Sequence, residues 1–234
     1  VKINNAIAEE EGTALADAAR AEFHKMELSD EENIALWKWF IDISLREYRK
    51  TYALLGIDFD SYNGESFYVD KTDRVVEELR KKNLLTISDG ASVVDLDEEK
   101  SGMPPCLILK KDGTTIYATR DIAAALYRKE TYDFDKCLYV VAYQQDLHFR
   151  QWFKVIEKMG YPWYKDLVHV AFGMISYEGQ SLSTRKGHVL FLEDVLNMAI
   201  EKARAIIEEK SPNLENKDEV ARQVGVGAVV YADL

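Results

Sequence analysis

Cysteine is nearly absent from this chain, at two residues, and histidine is scarce, at four. Cys106 and Cys137 cannot supply a disulfide framework or a zinc site. Each lies within an apolar run, so both read as buried, reduced thiols. No apolar run approaches the roughly 20 residues that cross a bilayer. The opening stretch Val1–Arg20 is polar and acidic, which excludes the basic-then-apolar layout of a secretory signal. These absences point to a cytoplasmic protein. Val1 is not an initiator Met, so the chain reads as mature, trimmed or excised. Excess basic charge is also lacking, with 30 Lys and Arg against 41 Asp and Glu and a net charge of −11. Phosphate affinity comes from clustered cations. The totals therefore argue against non-specific nucleic-acid binding, and any RNA contact must come from a local patch or from parts outside this chain.

What is present is enough apolar material for a packed core: 47% hydrophobic and 30% charged residues over 234 positions, one large domain or a domain and a half. Residues 1–28 look helical. Ser29 and Glu32 have capping-box spacing. Ile34, Trp37, Ile41, Leu45, Tyr48 and Tyr52 then recur at steps of three and four, which predicts a helix with one buried face, stopped by Gly56. Ile57–Asp60 is a strand candidate before the turn Tyr62-Asn63-Gly64. A helix is expected from Asp70 to Lys82, and irregular strand from Leu84 to Leu96, interrupted at Asp89-Gly90. Cys106–Leu109 and Thr115–Tyr117 read as a hairpin with Asp112-Gly113 at its tip. Thr119 is placed to cap a helix running to Lys129.

The stretch after it has a different rhythm. Cys137–Tyr143 is a continuous apolar strand of the kind buried on both faces of a parallel sheet. Asp146–Met159 has a helical core face of Phe149, Trp152, Phe153, Ile156 and Met159, with Gly160 as its stop. Leu167–Phe172 is a second apolar strand. Strand, helix and strand form a right-handed βαβ unit. A polar loop, Ser176–Gly187, precedes a helix from Leu192 to Glu209, broken by Ser211-Pro212, and a last helix from Lys217. There is no internal repeat and no low-complexity linker.

In open α/β sheets ligands bind beyond the carboxyl ends of the strands. Two segments belong there. One is Tyr143–His148, where a helix N-terminus adds free N–H groups to Gln145 and His148. The other is Gly173-Met174, leading to Ser183-Thr184-Arg185-Lys186-Gly187, whose hydroxyls and cations suit a polyphosphate. Read alone, that loop is no different from many solvated loops, Asp121 is a helix-dipole acid, and Glu65 is a surface acid.

Taken in order, these runs resemble one family. Thr115–Ala125, Gln144–Phe149, Phe172-Gly173-Met174 with Ser183–Gly187, and Asn63-Gly64-Glu65-Ser66 are similar to segments of arginyl-tRNA synthetases, class I enzymes with a Rossmann-type core. The resemblance implies an α/β, Rossmann-type class I synthetase core with parallel strands and helical insertions, truncated at both ends. It divides the chain into a helical segment at 1–56, a partial catalytic core at 57–210 and, at 211–234, the start of a helical anticodon-binding domain. It implies that Glu65 and Asp121 hold the substrate guanidinium, that Tyr117 packs on its side chain, and that Gln145 meets its α-amino group. A planar fork of donors suits two carboxylates and separates arginine from lysine. His148, Gly173 and Met174 would border ATP, with Ser183, Thr184, Arg185 and Lys186 on the pyrophosphate. The implied partners are L-arginine, ATP with Mg²⁺, and tRNA, with no protein-bound metal and no membrane.

The pattern departs from the class in two places. None of His24, His148, His169 and His188 begins the first ATP motif, His-x-Gly-His. The second motif, Lys-Met-Ser-Lys-Ser, falls on Ser181-Leu182-Ser183-Thr184-Arg185, so its second Lys becomes Thr184, with Arg185 or Lys186 as partial replacements. Ser211-Pro212-Asn213 mimics a family tripeptide that belongs before this region, and reads as a helix stop. The leading expectation is a piece of an arginine–tRNA ligase that is inactive alone. A catalytically dead, arginine-binding pseudo-synthetase and an unrelated α/β nucleotide-binding protein are the alternatives.

Overall fold

A computed structural model describes residues 13–28, 30–97, 102–174, 176–177, 180–181 and 190–233. The chain divides into two units, one formed by Val1–Asp60 with Ser176–Leu234 and the other by Ser61–Ile175.

In the first unit, α1 spans Thr13–Glu27 and α2 spans Glu31–Leu55. The expected cap at Ser29 lies outside the described residues. Asp30 is the N-cap, its carboxylate accepting from the Asn33 N–H at 3.1 Å. Gly56 ends the helix as expected, in the left-handed conformation at φ 69°. The apolar stripe of α2 is not buried: no residue of the helix is, and Ile41 and Tyr48 are exposed. A stripe specifies which face would be covered, and burial also requires a neighbour that covers it. Ile57–Asp60, the strand candidate, has no regular structure. The expected loop at Ser176 contains a minimal antiparallel pair, β6 (Ser176–Tyr177) with β7 (Gln180–Ser181). Helices α6 (Leu192–Lys210) and α7 (Lys217–Asp233) pack on each other, with Ser211 as the stop between them.

The second unit holds the core. A 3-10 turn at Glu65–Lys71 leads into α3 (Thr72–Lys81), where one longer helix was predicted. Strands β1 (Leu85–Ser88) and β2 (Ala91–Val94) are an antiparallel pair. Asp89 and Gly90, both at positive φ (49° and 82°), make the tight turn between them. That geometry is natural to the mirror-image turns of two-residue hairpins. β3 (Cys106–Leu109) pairs mainly with β2 rather than in the predicted hairpin, which is reduced to a single bridge from Leu109 to Thr115.

α4 runs from Tyr117 to Tyr132, beginning two residues before the expected cap. Thr119 is therefore inside the helix, fully buried, with its hydroxyl donating to the Ile108 carbonyl at 2.6 Å. β4 (Cys137–Ala142) and β5 (Leu167–Phe172) pair in parallel from Cys137–Leu167 to Ala142–Phe172, joined through α5 (Asp146–Lys158). This is the predicted βαβ unit, with Gly160 at φ 86° just after its helix. Trp152, Val155 and Ile156 of α5 are fully buried and Phe149 nearly so, with Tyr139 of β4 packed edge-on to Trp152.

The pair is covered on one face only. Leu138, Val140, Val170 and Phe172 are exposed. Buried-on-both-faces was read from an unbroken apolar run, but the described residues supply a covering layer to one side. The thiols also differ: Cys106 is buried, whereas Cys137 is half-buried.

Candidate functional site

The site grows from the first turn of α4. Extended backbone at Ile116 (φ −117°, ψ 179°) delivers the chain into the helix, and the buried Thr119–Ile108 hydrogen bond pins that turn to β3. Tyr117 and Asp121 then stand four residues apart on one face, as the sequence spacing requires. Asp121 Oδ2 lies 2.7 Å from His148 Nε2, in the first turn of α5. A carboxylate only accepts, so Nε2 carries the proton. The Tyr117 ring packs on the same imidazole, with centroids 4.8 Å apart at 60°. One histidine thus ties together the starts of two helices.

Glu65 arrives from a different element. It is the first residue of the 3-10 turn after Gly64. Phe67 and Tyr68 of that turn pack edge-on to Tyr127 of α4, at 5.1 and 5.8 Å, which sets the turn against the helix. The Glu65 carboxylate forms an ion pair with Arg120.

Together these elements border an open cavity of about 630 Å³, within the usual size range of small-molecule sites. Glu65, Tyr117, Arg120 and His148 line it, with Lys110 and Cys106. Burial pushes the Cys106 thiol up to about 12, so it stays protonated near neutrality and is no nucleophile. Asp121 does not line the cavity itself; its carboxylate is hydrogen-bonded to His148, which does.

The remaining predicted positions gather elsewhere. Gln145 is the N-cap of α5, at the end of the 3-10 turn Tyr143–Gln145 that follows β4, and Gly173-Met174 directly follow β5. Since β4 and β5 run parallel in register, both segments lie at the carboxyl ends of the strands. Both are exposed, and neither lines the cavity. The first turn of α5 has no side-chain cap, and its first N–H, at Asp146, is bonded to the Tyr143 carbonyl. Ser183, Thr184, Arg185 and Lys186 lie outside the described residues.

Three contributors were invisible in the sequence. Arg120 was read only as part of a motif, and the Asp121–His148 pair spans 27 positions. His169 sits in the apolar strand β5. Its side chain is 6% exposed. Its Nε2–H donates to the Val141 carbonyl at 2.9 Å, and its ring stacks on Phe149 at 4.3 Å. It thereby supports the β4–α5 turn that carries Gln145.

The family model described as tRNA synthetases class I (R), catalytic domain, matches residues 1–234. An arginine–tRNA ligase of Clostridioides difficile is 60% identical over 225 residues, and one of Alkaliphilus metalliredigens is 58% identical; each match covers 96% of this chain. The chain spans 39% of the length of each of these two relatives. Among solved structures, the arginyl-tRNA synthetase of Plasmodium falciparum superimposes with a TM-score of 0.77 at 25% identity, covering 94% of this chain and 37% of that one. The Thermus thermophilus arginyl-tRNA synthetase shares the fold, with a TM-score of 0.70 at 21% identity over 94% of this chain and 45% of that one. By the end-to-end match of its catalytic-domain model, and by a fold built on a parallel βαβ unit, this chain belongs to the class I tRNA synthetases of the arginine type.

Proposed function

We propose that the chain is part of an arginine–tRNA ligase and forms its arginine-recognising side. The observation that supports this is the cavity lined by Glu65, Tyr117 and His148, with Asp121 hydrogen-bonded to that histidine. A guanidinium offers five donors in a rigid fork, which carboxylates and an aromatic face satisfy together. Gln145, at the helix N-terminus after β4, is suited to the substrate α-amino group. His148, Gly173 and Met174, near the same strand ends, are suited to ATP, with Ser183, Thr184, Arg185 and Lys186 reaching the pyrophosphate. Magnesium would arrive on the ATP phosphates.

In the whole enzyme, a carboxylate oxygen of arginine attacks the α-phosphorus of ATP. The bond between the α- and β-phosphates breaks and pyrophosphate leaves. A ribose hydroxyl at the tRNA 3′ end then attacks the arginyl carbonyl, loses its proton, and AMP departs. Positioning and charge stabilisation supply the acceleration, with no protein nucleophile required. Residues 211–234 fit the start of an anticodon-binding region in this reading, and the location is cytoplasmic.

ATP–pyrophosphate exchange with arginine tests the division of labour. This chain alone is expected to give little or no exchange, since its sequence has no His-x-Gly-His. Robust turnover would refute that. Calorimetry with arginine and lysine tests the pocket: arginine is expected to bind in preference, and equal or absent binding of both would refute the assignment.

A further inference from the structure

Glu65 and Asp121 are held in different ways. Asp121 rises from a helix turn pinned to β3 and is fixed by His148. Glu65 stands on a short turn with its side chain 57% exposed. Among the described residues its carboxylate has one side-chain partner, Arg120, whose Nη1 donates to Oε1. No hydrogen bond reaches Oε2 among the described residues. Arg120 is the better anchored member of the pair. Its side chain is 28% exposed, it leaves the same pinned turn as Tyr117 and Asp121, and its Nη2 lies 3.4 Å from the Thr115 carbonyl. The guanidinium is thus held between a backbone carbonyl and Glu65.

We infer that Arg120 is a positioning residue: it holds Glu65 by Oε1 and leaves Oε2 to accept from the guanidinium of the ligand. This rests on the reading that Glu65 recognises arginine. An unheld glutamate on an exposed turn spreads over many rotamers, and a ligand must then meet the cost of ordering it. Arg120 orders it in advance. It does so with a planar fork that can hold two acceptors at once, which an ammonium does not reproduce. The opposite arrangement, with Arg120 as an internal occupant that the substrate must displace, predicts the opposite sign.

The test is calorimetry of L-arginine and L-lysine with the full chain and with Arg120→Gln, Arg120→Lys, Glu65→Gln and the double variant Arg120→Gln/Glu65→Gln. Arg120→Gln is expected to weaken arginine binding about tenfold, a typical loss for one immobilised side chain released. Arg120→Lys should recover part of this, and Arg120→Gln should add nothing once Glu65 is Gln. Binding by Arg120→Gln equal to or tighter than the parent overturns the inference. Equal weakening on both backgrounds with no rescue by Lys overturns it too, since a merely structural role behaves that way. If Arg120→Gln does not fold, Arg120→Lys carries the test, and parental affinity in that variant overturns it. A parent chain that does not prefer arginine to lysine overturns the pocket assignment itself and this inference with it. A parent that does prefer arginine confines any failure to Arg120.

Discussion

Replacing Asp121 with Asn separates charge from shape. Asn has nearly the same volume, and its Oδ1 can still accept from His148 Nε2–H, which lies 2.7 Å from the carboxylate in the parent. The fold should therefore lose no more than about 0.5 kcal/mol, the range of a surface substitution. Ligand binding should change far more. Two unit charges about 4 Å apart attract by about 1 kcal/mol in bulk water and about 4 kcal/mol at the effective dielectric of a protein surface. The Asp121 side chain is 38% exposed, so a value between these limits applies, about 2 kcal/mol. That corresponds to about a 30-fold rise in the arginine dissociation constant. Calorimetry with L-arginine measures it, and urea denaturation of the same samples shows whether the fold is intact. Unchanged arginine affinity in a folded Asp121→Asn variant would refute the role of this carboxylate. An affinity loss that merely tracks a loss of folded protein would refute the separation of charge from shape.

Other consequences are open to measurement. Thr119→Val removes the buried donor to Ile108 and should cost about 1–2 kcal/mol in urea denaturation, with Thr119→Ser near parental; an unchanged midpoint for Val would show that the bond does not anchor α4. A Cβ on Gly225 of α7 would lie 2.6 Å from the Ile200 Cα of α6, so Gly225→Ala should destabilise that helix pair by about 2 kcal/mol. Gly227, with nothing within 4 Å, is the control: Gly227→Ala should gain up to about 1 kcal/mol, and equal effects at both positions in a thermal melt would refute the close approach. Cys106 should resist alkylation at pH 8 in the folded chain, since its thiol is pushed up to about 12 by burial. An unfolded thiol ionises near 8.5, so above that pH the native state binds the extra proton and stability falls as pH rises, by about 1 kcal/mol between pH 9 and pH 10. Cys106→Ala should flatten that dependence in urea midpoints, and a slope that persists unchanged would refute its origin.

The parallel strand–helix–strand unit, the helix stops at Gly56 and Gly160, and the spacing of Tyr117 and Asp121 were all legible in the sequence. Each depends on local rules: side-chain period, left-handed glycine, and the 3.6-residue turn. The family segments were legible for a related reason, since a site built on element ends leaves short, ordered runs. The alternation around Asp89-Gly90 was legible only as a break, although two positive-φ residues between short apolar runs are a hairpin signal. Other features required the tertiary structure. Whether the stripe of α2 or the outer face of β4–β5 is buried depends on a neighbour. The first turn of α4 began before Thr119 because a buried carbonyl on β3 drew that hydroxyl inward. The partners of Glu65 and Asp121 lie 55 and 27 positions away, and hydrogen bonds at such separations leave no local period to read. The sequence by itself therefore nominated the residues proposed here to carry the chemistry, through local pattern and family order. The tertiary structure alone decided how their charges are held, because Arg120 and His148 meet those carboxylates only once β3, α4, α5 and the 3-10 turn have packed.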